Sequence, residues 1–140
     1  MKTLQQILEQ YKSETLDDRD LSRLAQFLTV EQIESLGMSF NNEDAKKAHT
    51  PKEFTRENVL AQLQKDVEFG FEKALGGRGI SSSLMFAVVK MWCWILEEGL
   101  EDFDDYPMYG LPLFKAVAVK YGFDNPIGDD CGNENQYGEY

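Results

Sequence analysis

Six carboxylates fall within nine residues of this chain: Glu97, Glu98, Glu101, Asp102, Asp104 and Asp105. Carboxylates at such density can hold a divalent cation, work as a general acid and base, or present charge to a basic partner. A calcium loop needs acids at alternate positions, a Gly at the sixth and a Glu at the twelfth. Asp102, Asp104 and Asp105 miss that spacing, and Pro107 interrupts it. Acid–base work by paired carboxylates needs a cleft around them, and no cleft can be inferred here. A partner-binding role fits better, because Tyr106 and Tyr109 flank the acids, and Tyr137 and Tyr140 follow in the same third of the chain. Tyrosine is enriched at binding hot spots, and complementary charge speeds and selects encounters. Six acids at a helix C-terminus also oppose the helix dipole and repel one another. A purely solvating role leaves that cost without a benefit.

Other residues offer weaker chemistry. Gly76-Gly77-Arg78-Gly79-Ile80-Ser81 precedes a helix, whose free N–H groups favour an anion. Arg78 and Ser81 are therefore a candidate anion site. The Gly-Lys-Ser/Thr ending of a phosphate loop is missing, and a tight interhelical turn capped by serines explains the same residues. His49 is the single histidine, with no nucleophile or orienting carboxylate beside it in sequence. Cys93 and Cys131, far apart, match neither a zinc pattern nor a disulfide framework. No catalytic residue, metal ligand set or cofactor motif is expected.

Elements must position the acids, and the signals along the chain are helical. Thr3 with Gln6 has capping-box spacing, followed by the stripe Leu4, Ile7, Leu8 and Tyr11. Asp17 or Asp18 is placed to cap a second helix carrying Leu21, Leu24, Ala25 and Leu28, and Thr29 with Gln32 opens a third that stops at Gly37. Residues 42–48 suit a turn or two of helix. Thr50, Pro51 and Glu53 predict a new helix start. Thr55 caps a helix over about 56–75, with Val59, Leu60, Leu63, Val67, Phe71, Ala74 and Leu75 on one face. Arg56, Glu57, Lys65, Asp66, Glu68, Glu72 and Lys73 are expected on the solvent side. Gly70 costs that helix about 1 kcal/mol relative to Ala, a cost offset where a neighbour must approach closely. From Leu84 to Leu96 only Lys90 is not apolar. This predicts a helix over about 82–98, capped by Ser81–Ser83 and buried nearly all round, with Trp92 and Trp94 filling opposite sides. Pro112 opens a last helix, and Gly122 before Phe123 suits a Schellman stop. No segment alternates cleanly with period two.

The fold class is therefore all-α: a compact bundle of five to seven helices around a buried central helix. One helical domain is expected over 1–123, with 1–50 a looser N-terminal part and 124–140 an acidic flexible tail. The apolar stretch at 84–96 is too short to span a membrane, which takes about 20 residues. No signal-peptide pattern opens the chain, so a cytoplasmic location is expected.

Composition sharpens the reading of the acids. The chain has 140 residues and a net charge of −11, from 25 acids against 14 bases. Residues 97–140 hold 11 of the acids and only Lys115 and Lys120 as bases, so −9 of that charge lies in the last third. Direct nucleic-acid binding needs a basic face, and this distribution argues against it.

The segments Met91–Glu98, Tyr106–Leu113 and Lys120–Phe123 together resemble small phage and mobile-element proteins. In size, acidity and lack of motifs the chain also resembles phage-encoded inhibitors of host defence, of the anti-CRISPR kind, a likeness of type rather than of motif. That resemblance implies action in the cytoplasm of a bacterial host cell, without turnover, by occupying a nuclease or its nucleic-acid channel. The expected function is a non-enzymatic binder of a basic, nucleic-acid-binding protein surface, through Glu97, Glu98, Glu101, Asp102, Asp104, Asp105, Tyr106 and Tyr109. The alternatives are an accessory phage protein that forms homo-oligomers through its helices, and a small metal-dependent hydrolase.

Overall fold

Local capping chemistry decides where most of the helices begin and end. A computed structural model describes residues 1–12, 18–76, 79–100 and 102–126, with backbone only at 18, 19 and 79–81. Among these residues there are seven α-helices and no strand: α1 (Leu4–Lys12), α2 (Asp18–Leu24), α3 (Val30–Ser35), α4 (Glu43–Ala48), α5 (Arg56–Leu75), α6 (Gly79–Leu96) and α7 (Leu111–Tyr121). Short 3-10 turns follow α2 at Ala25–Phe27 and precede α7 at Phe103–Asp105. The all-α class is as expected. No described helix is long and apolar enough to cross a membrane.

The described residues form two compact units, Lys2–Asn58 and those from Val59 to Pro126, which divide in the first turn of α5. In the first unit, Gln6 N–H donates to Thr3 Oγ1 at 3.2 Å while Gln6 Oε1 accepts from Thr3 N–H at 2.9 Å, completing the capping box of α1. Thr29 and Gln32 do the same for α3. Asn42 caps α4 by accepting from Ala45 N–H at 2.7 Å. The expected cap at Asp17 or Asp18 lies outside the described side chains. These short helices enclose a core of Leu21, Leu28 and Ile33, against which Leu4, Leu8, Tyr11, Leu36, Met38 and Phe40 pack. Lys46 Nζ donates to Glu34 Oε2 at 2.9 Å, and this bond, with the attraction of the same carboxylate, raises the lysine pKa.

Residues 49–55 differ from expectation. Thr50, Pro51 and Glu53 start no helix, because the backbone there has other partners. Lys52 N–H donates to Gln26 O at 2.8 Å, and Glu53 O accepts from Asn58 Nδ2 at 2.7 Å. The helix waits for Thr55, whose hydroxyl accepts from Asn58 N–H at 3.1 Å. His49 is structural in the same way: its Nε2 bonds to Leu28 O at 2.7 Å, and its ring lies 5.4 Å from that of Phe40.

The second unit is built on α5, α6 and α7. Val59, Leu63, Val67, Phe71 and Ala74 are buried on α5, most of the apolar residues from Met85 to Leu96 on α6, and Leu111, Leu113, Phe114, Val117 and Ala118 on α7. Gly70 is where α7 comes close. A Cβ on Gly70 would stand 2.8 Å from the Phe114 ring, which also packs edge-on against Phe71 at 5.9 Å between centroids. The helix α6 begins at Gly79, earlier than expected, so the serines lie inside its first turns rather than before it, and Ser82 is fully buried. Trp92 is fully buried while Trp94 is half-exposed, so the two indoles do not fill equivalent sides. Leu84 is exposed as well. At the end of α7, Gly122 adopts φ 75° and Phe123 N–H donates to Ala118 O at 2.9 Å, the bond of the expected Schellman stop.

Candidate acidic partner-binding surface

The acidic run starts where α6 stops. Glu97 N–H still donates to Cys93 O at 3.1 Å, but Glu97 itself sits at φ 55°. A left-handed turn at a helix end is ordinarily a glycine position, and an L side chain there costs about 1–2 kcal/mol. Such strain tends to persist at functional positions. Gly99, at φ 96°, completes the reversal. The helix therefore ends at Leu96, short of the expected 98.

The acids do not all face the same way. Glu97 is exposed, while Glu98 is half-buried and its Oε1 accepts from Tyr121 OH at 3.1 Å. Glu98 thus ties the end of α6 to the end of α7. Glu101 lies outside the described residues. Asp102, Asp104 and Asp105 are all exposed on the 3-10 turn Phe103–Asp105 and its first flanking residue. Asp102, at the N-cap of that turn, makes no side-chain cap bond.

Two closures hold this segment. Tyr106 N–H donates to Phe103 O at 3.1 Å, and Gly110 N–H to Pro107 O at 3.1 Å. Gly110, at φ 93°, then leads into α7, and a Cβ there would meet the Phe114 ring at 2.4 Å. Phe103 is half-buried, with Lys90 Nζ 5.6 Å from its ring centre. Tyr106 and Tyr109 are half-buried, and Met108 between them is 66% exposed. The result is a short, internally bonded loop that carries three exposed carboxylates, two partly accessible phenols and a flexible thioether. Its chemistry suits recognition of a cationic surface with apolar contact at the centre.

Arg78 lies outside the described residues, and Ser81 is placed only by its helical backbone, so the candidate anion site has no described side chain. Cys93 is buried and not disulfide-bonded, and Cys131 lies outside the described residues. Among the described residues no three His, Cys, Asp or Glu side chains come close enough to hold a metal ion.

One acid of α5 lies on the face opposite to the one its type suggests. Asp66, expected on the solvent face of α5, is only 3% exposed. Its Oδ2 accepts from Trp92 Nε1–H at 2.7 Å and from Gln62 Nε2 at 3.3 Å. The signal was present: position 66 follows Leu63 by three and precedes Gly70 by four, which is the buried stripe. A buried tryptophan N–H also needs an acceptor.

Comparison of this chain with protein families, with curated proteins and with solved structures finds no match.

Proposed function

We propose that this protein is a non-enzymatic binding module that occupies a basic, nucleic-acid-binding surface of a host defence nuclease, in the manner of phage-encoded anti-CRISPR inhibitors. The observation that carries the reading is the loop after α6, which exposes Asp102, Asp104 and Asp105 together beside Tyr106, Met108 and Tyr109. The acids supply long-range attraction and the aromatic residues the desolvated contact, the usual division of labour at a charged interface. Glu97 and Glu98 border this surface, with Glu98 also serving the fold.

The test is capture of a partner from a bacterial lysate by the immobilised protein. A basic nucleic-acid-binding protein should be recovered, and released as salt is raised. Converting Asp102, Asp104 and Asp105 to Asn should weaken the complex about tenfold or more, since rim charges act mainly on association and central ones on dissociation. Undiminished capture by the triple variant assigns the interface elsewhere. A second reading, self-association, draws on Phe69, Leu84, Met108 and Val119, large apolar side chains exposed on the unit that carries the acids. Light scattering that finds a stable homo-oligomer, with no captured host protein, would favour it.

A further inference from the structure

The loop after α6 is strung between the two ends of α7. At its start Glu98 Oε1 accepts from Tyr121 OH at 3.1 Å, and a Cβ on Gly99 would stand 4.0 Å from Lys120 Nζ. At its finish Gly110 enters the first turn of α7 against the Phe114 ring. An 11-residue helix separates those ends by about 16 Å. Between them Phe103 is a middle anchor, half-buried, with Lys90 Nζ 5.6 Å from its ring centre. The bonds from Tyr106 N–H to Phe103 O and from Gly110 N–H to Pro107 O shape the loop internally. They do not fasten it to the helices. That falls to the three anchors, and the first of them fixes where the chain that carries Asp102 sets out.

Tyr121 is itself held in place. Its ring stacks on that of Phe123, with 5.7 Å between centroids and 26° between planes, and Lys120 Nζ lies 5.6 Å from its centre. Phe123 is fixed in turn by the Schellman bond to Ala118 O. The phenol thus meets Glu98 with little freedom left to lose. A hydroxyl that donates to a carboxylate makes a stronger bond than a neutral pair, and partial burial reinforces it. Ordering a loop during binding costs affinity, so a loop ordered beforehand holds its partner longer. We infer that Tyr121 is a positioning residue for the acidic surface: through Glu98 it fixes the start of the loop, so that Asp102, Asp104 and Asp105 meet a partner already ordered. The effect on the loop stands by itself; the effect on binding rests on the function proposed above.

Two substitutions separate the hydrogen bond from the charge. Tyr121→Phe keeps every charge and removes the donor, while Glu98→Gln removes a charge and keeps an oxygen acceptor. Amide hydrogen exchange followed by NMR reads the loop directly. In Tyr121→Phe the Tyr106 amide should exchange about fivefold faster, with the Val67 amide of α5 unchanged. Glu98→Gln should stay within about twofold of wild type. No acceleration in Tyr121→Phe, or equal acceleration in both variants, would overturn the inference. Thr29→Ala removes a cap in the first unit and should leave the Tyr106 amide as in wild type. Equal acceleration there would mean that the loop follows general loss of stability, which also overturns it. Surface plasmon resonance with a decalysine peptide at near-physiological salt reads the binding. D102N/D104N/D105N should bind about tenfold more weakly. Tyr121→Phe should associate at the wild-type rate and dissociate about threefold faster. Loss in the triple variant without any in Tyr121→Phe would remove the positioning role. Undiminished binding by the triple variant would count against the function proposed for the loop, and the exchange rates would still decide for or against Tyr121.

Discussion

At the scale of single residues, the most consequential contact is that of Asp66 with Trp92. A carboxylate this deeply buried is sustained only by strong hydrogen bonds, and the indole N–H at 2.7 Å is one of them. Asp66→Ala strands that N–H in the core and should destabilise the protein by about 1–3 kcal/mol. Asp66→Asn retains an oxygen acceptor and should cost less. Urea unfolding followed by tryptophan fluorescence measures both. An Asp66→Ala variant within about 0.5 kcal/mol of wild type, the ordinary range for a surface change, would show that the contact contributes nothing net. Residue type misled the sequence reading here: an Asp among Lys65, Glu68 and Glu72 looks like part of a wet face, and only the helical phase of position 66 says otherwise.

At the scale of elements, α5 and α7 meet through the absence of a side chain. The Phe114 ring lies within contact of Gly70 on one side and Gly110 on the other, and is fully buried. Helix propensity alone says that Gly70→Ala should stabilise α5 by about 1 kcal/mol. Packing says the reverse, because a methyl 2.8 Å from a ring with nowhere to retreat brings overpacking costs of about 1–3 kcal/mol. The packing term should win, giving a lower Tm. Adding Phe114→Leu should recover part of the loss. A Gly70→Ala variant with a raised Tm would show that the ring moves aside. The need for a close approach at Gly70 was legible in the sequence; its partner was not, since that depends on how α7 is turned. The same divide runs through the other elements. Thr3, Thr29, Thr55 and Gly122 act within a few residues of themselves, and their sequence signals located helix ends well. Thr50 and the serines at 81–83 carry equally good local signals that tertiary contacts override: the Gln26 carbonyl claims Lys52 N–H, and burial draws Ser82 inside α6. The acidic loop was legible as charge, but not the division within it that turns Glu98 toward Tyr121 and leaves Asp102, Asp104 and Asp105 outward.

At the scale of the whole molecule, charge sets up opposing demands on stability and on binding. The chain carries −11, of which −9 lies in residues 97–140, and concentrated like charge destabilises a folded state through self-repulsion. Added salt shortens the range of that repulsion, to about 10 Å at 0.1 M. The Tm of the free protein should therefore rise between low salt and about 0.15 M NaCl. Partner binding through the same acids should weaken over that interval, since screening removes the attraction that assembles the complex. The Asp102, Asp104 and Asp105 to Asn variant separates the two effects. It should melt a few degrees higher than wild type at low salt, show a smaller rise as salt is added, and lose partner binding. Scanning calorimetry across a salt series reads the first two quantities. Identical salt slopes for the two proteins would mean that these three acids do not repel one another appreciably in the folded state. Their exposure would then cost the fold nothing, and the argument that they are retained for a partner would lose its energetic basis. A steeper slope in the wild type, with binding and stability moving in opposite directions as salt rises, is what a surface kept charged at the fold's expense requires.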